Sequence, residues 1–530
     1  MGFRRLAAYL TALLLLTVPA MAYPLADGLA YSEDEGFTLT YTPGADTTVM
    51  LLSEGQAWGR VAAETLLDAC SCDAVGLVNA DFFTMTTGIP EGILVRDGTL
   101  ICSDSWQNAV GIRADGTVFL GQPHLSMWMQ GRHTSFAVSY YNKLRTAAGI
   151  YLVDRRFGGP AVDTGDGVNI LLRMNRRSDR LTVGGALTAR VVSITHEAGV
   201  PRVGEGYLLL TCSADGPIDM LADVQVGDAY RLSITSPDTR WQSAVHACGA
   251  GQTLVSNGKL LTDLPDDRKP CIALGVRKDG SAVIRAYEDG SLTMLAASLY
   301  GMGCISAVNL DGGGSVTVQA RLPGTSLTLR NKPSDGKMRD CKNYLVFVNT
   351  SDVYGDAAKL WVYPDAVTAL PGVTLSFDAC ATDAHLHPVQ STPTLTSDAG
   401  TLKDGKLTVQ SSGTVTASYK GAEDGTAYVT VPETVDAIRV SREGRHIRSL
   451  RFEPGERVTF TASAVLDGGI VPSVRASYAW ETTLGTVDTG VFTAPTRFGS
   501  VGTLTVRYGT CTETIRIAVR YGAVHGKPLI

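Results

Sequence analysis

Two short segments, each at the end of an apolar run, carry most of the side chains in this sequence that could do chemistry. The first reads Val78-Asn79-Ala80-Asp81-Phe82-Phe83 and continues through Gly88-Ile89-Pro90-Glu91-Gly92 to Asp97-Gly98. The second reads Ile305-Ser306-Ala307-Val308-Asn309-Leu310-Asp311-Gly312-Gly313-Gly314-Ser315. Three consecutive glycines remove every Cβ from a turn, so backbone N–H groups can converge on an anion and a ligand can approach the main chain. Asp311, at the junction of run and turn, has the chemistry of a nucleophile, a base or a metal ligand. The same Asp-Gly pattern suits a tight hairpin in which Asp311 caps its own turn. Asn79 and Asp81 likewise suit turn formers at a strand end, and the residues alone leave both readings open. Further on, Asn331, Pro333-Ser334-Asp335-Gly336 and Arg339 form a polar loop before the last apolar run of this region. A guanidinium there could hold a phosphate through two parallel hydrogen bonds, or lie solvated on a surface loop.

The elements that must position these residues are mostly strands. Short apolar or alternating runs predict strands over 47–52, 75–79, 93–95, 110–113, 272–276 and 344–348. Val61, Leu66, Leu67 and Cys70 recur at helical spacing and predict a helix over 57–69; a second is predicted over 292–300. Residues 23–350 therefore read as one α+β unit with strands in the majority.

The second half contains an internal repeat. Pro371-Gly372 followed by Leu375 and Phe377 matches Pro454-Gly455 followed by Val458 and Phe460. Gly400-Thr401-Leu402 with Leu407-Thr408 matches Gly485-Thr486-Val487 with Phe492-Thr493, and Gly413-Thr414-Val415-Thr416 matches Gly502-Thr503-Leu504-Thr505. Alternating strands punctuated by Gly, Pro and Asp are the pattern of a β-sandwich. Residues 351–435 and 436–530 are thus expected to be two all-β modules, and both resemble bacterial immunoglobulin-like domains. His385 and His387 are expected in a solvated loop.

Composition bounds the class of function. At 530 residues the chain exceeds one core. Its formal charge of −6, with no basic stripe, argues against a nucleic-acid partner. Arg4 and Arg5, an apolar stretch over 6–18 and Ala20-Met21-Ala22 read as a secretory signal peptide cut after Ala22. The apolar stretch is shorter than the roughly 20 residues of a spanning helix. The expected location is secreted, extracellular or attached to the cell envelope. The ten cysteines are expected to be mostly buried thiols with one or two bridges, and Cys70-Ser71-Cys72 alone is weak evidence for zinc or redox work.

Taken in order, Asn79-Ala80-Asp81-Phe82-Phe83, Gly88-Ile89-Pro90-Glu91-Gly92, Asn309-Leu310-Asp311-Gly312-Gly313-Gly314-Ser315 and Asn331 to Arg339 resemble the phosphodiester glycosidase family. The run from Gly249 to Gly258, with Leu254 and Asn257, is also similar to it. The resemblance spans about 47–350 and is most specific over Asn309 to Ser315. It implies an α+β fold and hydrolysis of a sugar-1-phosphodiester. Residues 122–240 read as a β-rich insertion relative to the mammalian enzyme of that family.

On that resemblance, Asp311 is the main acidic residue and Asp81 or Glu91 its partner. A phosphate monoester is already a good leaving group, so anion stabilisation matters more than a strong acid. The Gly312, Gly313 and Gly314 backbone and Arg339 would hold phosphate. Asn79, Asn309 and Ser315 would position the sugar, with Phe83, Asn331 and Ser334 lining the substrate site. No cofactor is required by this reading, and it leaves room for a divalent cation. The expected partners are a carbohydrate phosphodiester and, through the C-terminal modules, a cell-wall or surface glycan.

Two departures stand out. Where the family shows an arginine-threonine pair, this sequence has Cys271-Ile272-Ala273, with Arg268 nearby; where it shows Asp-Gly-Arg, this sequence has Asp289-Gly290-Ser291. They favour an alternative, a catalytically degenerate glycan-binding or structural protein of the cell envelope. A metal-dependent phosphodiesterase around Asp81 and Asp311 would break P–O instead, but lacks the histidine-rich ligand set of such sites.

Overall fold

A computed structural model describes residues 22–105, 107–159, 166–176, 180–196 and 202–520. The expected signal peptide lies, apart from Ala22, outside the described residues. The chain divides into two compact units, Met1–Val353 and Tyr354–Ile530.

The first unit is α+β and strand-dominated. One eight-stranded antiparallel sheet has the order Tyr23–Ala26, Leu29–Glu33, Phe37–Tyr41, Ala282–Gly290, Lys269–Arg277, Cys304–Asn309, Thr253–Ser256, Lys259–Leu260. A five-stranded sheet places Ala74–Asn79 between Val318–Ala320 and Tyr344–Asn349, with Thr47–Leu52 beyond. A second five-stranded sheet runs Thr99–Cys102, Leu94–Arg96, Ala244–Ala250, Asn108–Arg113, Val118–Gly121. Ala74–Asn79 and Tyr344–Asn349 are almost wholly buried, which is why they read as unbroken apolar runs rather than alternating ones. A separate eight-stranded sheet is built from strands between Ser126 and Thr235; its core, which includes Met129, Phe136, Leu152, Ile170 and Leu210, is continuous with Val95, Leu100, Ala109 and Phe119 of the second five-stranded sheet. Its strand Ser126–Gln130 alternates exposed and buried residues, as a sheet with one wet face requires.

The predicted helix over 57–69 is shorter in the structure, Ala63–Cys70. Its expected first turn is extended instead. The Ala57, Trp58, Gly59 and Val61 amides donate to the Arg156, Phe157, Thr87 and Cys341 carbonyls, so tertiary partners satisfy this backbone before helix bonds can. The second helix runs Leu292–Gly301, and the Ser291 hydroxyl caps it by accepting from the Met294 amide. Cys70 and Cys72 form a disulfide, and the other eight cysteines are free, six of them buried.

The second unit contains two sandwich cores, one centred on Leu360, Phe377, Leu407 and Val415, the other on Phe452, Phe460, Phe492 and Ile515. The sequence repeat is a repeat of register. Leu375 pairs with Leu407 and Leu407 with Leu402; Val458 pairs with Phe492 and Phe492 with Val487. The loop holding His385 and His387 is not solvated throughout. His387 is buried, stacks on Tyr354 with ring centroids 4.3 Å apart, and its Nδ1 lies 3.1 Å from the Asp383 carboxylate.

Candidate active site

Three sheets of the first unit bring their strand ends to one place. Ala74–Asn79 delivers Asp81, Cys304–Asn309 delivers Asp311, and Ala244–Ala250 delivers Gly249 opposite Gly92. Backbone and amide bonds lock the first two ends together. The Asp311 amide donates to the Ala80 carbonyl at 2.9 Å, and the Asn79 side chain donates to the Asp311 carbonyl at 2.7 Å. The Asn79 side chain also accepts from the Thr317 amide at 3.0 Å, so this fully buried residue staples the turn after Asp311 on both sides.

Asp311 is half-buried. Burial pushes its carboxyl up to about 6, against the Ser315 hydroxyl, the Arg339 guanidinium and the Gly312 amide, while the Glu91 carboxylate adds to the rise. Glu91 is exposed. Arg339 pairs with Asp335 at 2.7 Å and donates to the Ser315 hydroxyl at 3.3 Å. That ion pair crosses the glycine turn so closely that a Cβ on Gly314 would lie 2.1 Å from Arg339 Nη2. Gly313 has φ +60, a left-handed conformation that glycine adopts without strain.

Asp81 sits deeper, 1% exposed. Burial raises its carboxyl to about 7; Lys143 and the Gly249 and Gly92 amides pull it down, and Asp311 pushes it up. These amides lie close enough to favour the ionised form, yet neither carboxylate oxygen gains a complete hydrogen bond among the described residues. The Asp81 amide is held by the Asn343 side-chain oxygen at 2.9 Å.

The other residues singled out from sequence fall into two groups. Asn309, Asn331 and Phe83 are spent on the fold. The Asn309 side-chain oxygen accepts from the Gln252 amide, and Asn331 accepts from the Val318 amide while donating to the Val316 carbonyl. Phe83 packs in the apolar cluster with Leu52, Leu77 and Tyr344, under the Arg60 guanidinium. Ser334 is exposed, on the loop that carries Asp335. Gly312 faces the Pro270 carbonyl, 3.1 Å from where its Cβ would be. Of the two departures, Arg268 is held by Asp289 at 3.1 Å on an exposed surface, and Ser291 is the helix cap already described.

Sequence reasoning missed Lys143, Lys342 and Asn343. Lys342 is 1% exposed, donates to the Trp58 and Gly59 carbonyls, and is lowered by burial to about 8. Asn343 adjoins the predicted strand 344–348, but no motif marks either lysine. Cavity size does not lead to this place either. Cavities of about 560 and 330 Å³ elsewhere in the unit are lined by Met50, Leu66, Arg96 and His246, and by Asp154, Phe157 and Arg202. Among the described residues, no group of three or more His, Cys, Asp or Glu is arranged to hold a metal ion.

Comparison with known proteins covers part of this site. Residues 185–348 match the phosphodiester glycosidase family model, a stretch that includes Asn309 to Ser315 and Asn331 to Arg339. It begins within 122–240 and does not reach Asn79 to Gly92. A hypothetical protein from Synechocystis is 19% identical with a TM-score of 0.50, covering 62% of this chain and 64% of its own, so the chain spans slightly under two thirds of that protein. The catalytic domain of zebrafish N-acetylglucosamine-1-phosphodiester alpha-N-acetylglucosaminidase, auto-inhibited by its pro-peptide, is 15% identical with a TM-score of 0.30, over 60% of this chain and 76% of that one. No curated protein matches the sequence. Over residues 185–348 the chain is thus similar to the phosphodiester glycosidase family.

Proposed function

We propose that this protein is an exported hydrolase that releases a sugar from a sugar-1-phosphodiester of a glycan or envelope polymer by breaking the anomeric C–O bond. The observation that carries this reading is the setting of Asp311. It is a half-buried carboxyl with a raised proton affinity, beside the Ser315 hydroxyl and the Arg339 guanidinium, with Glu91 facing it from exposed surface. In the ionised form Asp311 would stabilise positive charge at the anomeric carbon or accept the proton of the attacking water. The bonding pair would leave with the phosphate monoester, whose charge Arg339 would meet once it exchanges Asp335 for substrate. Glu91 suits the role of partner better than Asp81, which is sealed behind Gly92 and Gly249. The two C-terminal sandwiches would act as immunoglobulin-like modules that hold the enzyme at a surface glycan.

The test is turnover of aryl and nucleotide sugar-1-phosphodiesters by wild type and Asp311→Asn. Free sugar together with an intact phosphate monoester, lost in the variant, supports the reading. The engagement of Arg268 with Asp289, and of Ser291 in a helix cap, favours a second reading, a degenerate glycan-binding domain. Retained glycan binding with no turnover across α- and β-linked hexoses and N-acetylhexosamines would establish that one.

A further inference from the structure

Lys143 is 9% exposed, and its ammonium is enclosed by one turn of chain. It donates to the Pro90, Glu91 and Gly92 carbonyls at 2.5, 2.9 and 2.9 Å. Three donors on three main-chain acceptors use the whole hydrogen-bonding capacity of an ammonium group. No carboxylate is among these acceptors, so main-chain dipoles hold the ammonium directly. A buried charge of this kind is costly unless something nearby benefits from it.

The groups that face it are few. Asp81, Cys102 and Asp104 all feel Lys143. Asp81 in turn faces Asp311, Cys102 and Cys248, and the amides of Gly92 and Gly249. Lys342 also acts on Cys102. Asp81 is therefore a buried carboxyl with no completed hydrogen bond; its Oδ2 lies 3.2 Å from where a Cβ on Gly92 would be, and the Gly92 carbonyl is one of the three that hold the Lys143 ammonium, whose charge acts on Asp81. The turn that Lys143 gathers also carries Glu91, the exposed carboxylate beside Asp311.

We propose that Lys143 is a positioning residue of this active site: its ammonium places a buried positive charge behind Asp81 and holds the 90–92 turn that carries Gly92 against Asp81 and Glu91 toward Asp311. The residue comes from the segment that builds the separate eight-stranded sheet, following Tyr140–Tyr141, so that sheet supplies part of the site's electrostatics. The assignment rests on the hydrolase reading only for its catalytic consequence; the electrostatic claim is independent of substrate.

The test follows protons before turnover. Infrared difference spectra of the full chain, with Asp81→Asn to identify the band, give the midpoint at which the Asp81 carboxyl ionises. Lys143→Gln should move that midpoint up by about one pH unit or more, and Lys143→Arg, which keeps the charge, should leave it nearer wild type. An unchanged midpoint in Lys143→Gln overturns the proposal. If Lys143→Gln does not fold, 15N-lysine-labelled wild type decides. One protected ammonium signal should shift with the Asp81 midpoint and stop titrating in Asp81→Asn; no such signal overturns the proposal. Where turnover is present, Lys143→Gln should lower kcat more than it raises KM and displace the pH profile, which a purely structural lysine would not do. Where turnover is absent in wild type, the hydrolase reading fails while the midpoint shift still judges Lys143.

Discussion

Gly92 and Gly249 stand back to back. A Cβ built on Gly92 would lie 2.2 Å from the Gly249 Cα, and one built on Gly249 would lie 2.5 Å from the Gly92 Cα and 2.4 Å from Asp81 Oδ1. The 90–92 turn and the strand Ala244–Ala250 thus meet behind a buried carboxylate with no room for a methyl group on either glycine. Gly249→Ala must push apart backbone rather than a flexible side chain. We expect it to destabilise the first unit by about 1–3 kcal/mol, read as a lower denaturation midpoint. A midpoint equal to wild type would mean that the backbone at Gly92 and Gly249 yields to a methyl group without cost.

Asp81 makes stability depend on pH with a definite sign. Its folded-state value, about 7, lies above the ordinary carboxylate value, so the folded state binds the proton more tightly. The associated stabilisation is complete below about pH 4 and is lost as pH rises through about 7. The loss is on the order of a few kcal/mol. Asp81→Asn should flatten this slope between pH 4 and 8 in denaturant titrations; identical slopes would refute the account.

Asp311 predicts the acid limb of activity. If the ionised form is required, kcat/KM falls about tenfold per unit as pH drops below about 6. Asp311→Asn should lower kcat by roughly 10²–10⁴ without changing the fold. Wild-type turnover in that variant would remove Asp311 from the mechanism.

Arg339 is expected to act on binding. Arg339→Ala gives up a charge-assisted contact of about 1.5–3 kcal/mol, a rise in KM of about 10- to 100-fold with a smaller change in kcat. Arg339→Lys should recover only part, because an ammonium cannot reproduce the planar fork. An effect confined to kcat would place the guanidinium elsewhere in the reaction.

The division at Val353 and Tyr354 predicts that the two units separate. A chain ending at Val353 should keep the turnover of the full protein on small phosphodiesters, measured by release of free sugar. Loss of turnover in a folded fragment would assign the C-terminal modules a direct part in catalysis.

Much of the architecture was legible because it is local. The apolar runs at 75–79 and 344–348 are strands because both faces are buried, and the match of Leu375, Leu402 and Leu407 to Val458, Val487 and Phe492 is a match of paired register. The helix starts later than the spacing of Val61, Leu66 and Leu67 predicts, because that spacing says nothing about the carbonyls of Arg156, Phe157 and Cys341, which capture the preceding amides. His387 is buried where its loop predicts solvation for the same kind of reason: Tyr354 covers it, and no spacing rule connects the two.

By itself the sequence determined the strand-rich class, the repeated sandwiches and the turns bearing Asp81, Glu91, Asp311 and Arg339, since glycine runs, apolar periodicity and turn residues act over a few positions. Tertiary structure alone decided which of those side chains face solvent, which are spent on the fold as Asn309 and Asn331 are, and which carboxyl is raised. Burial and charge are set by neighbours remote in the chain: Lys143 gathers the 90–92 turn, and Gly249 closes over Asp81. Such neighbours leave no mark at the residue they act on, and so no motif reports them.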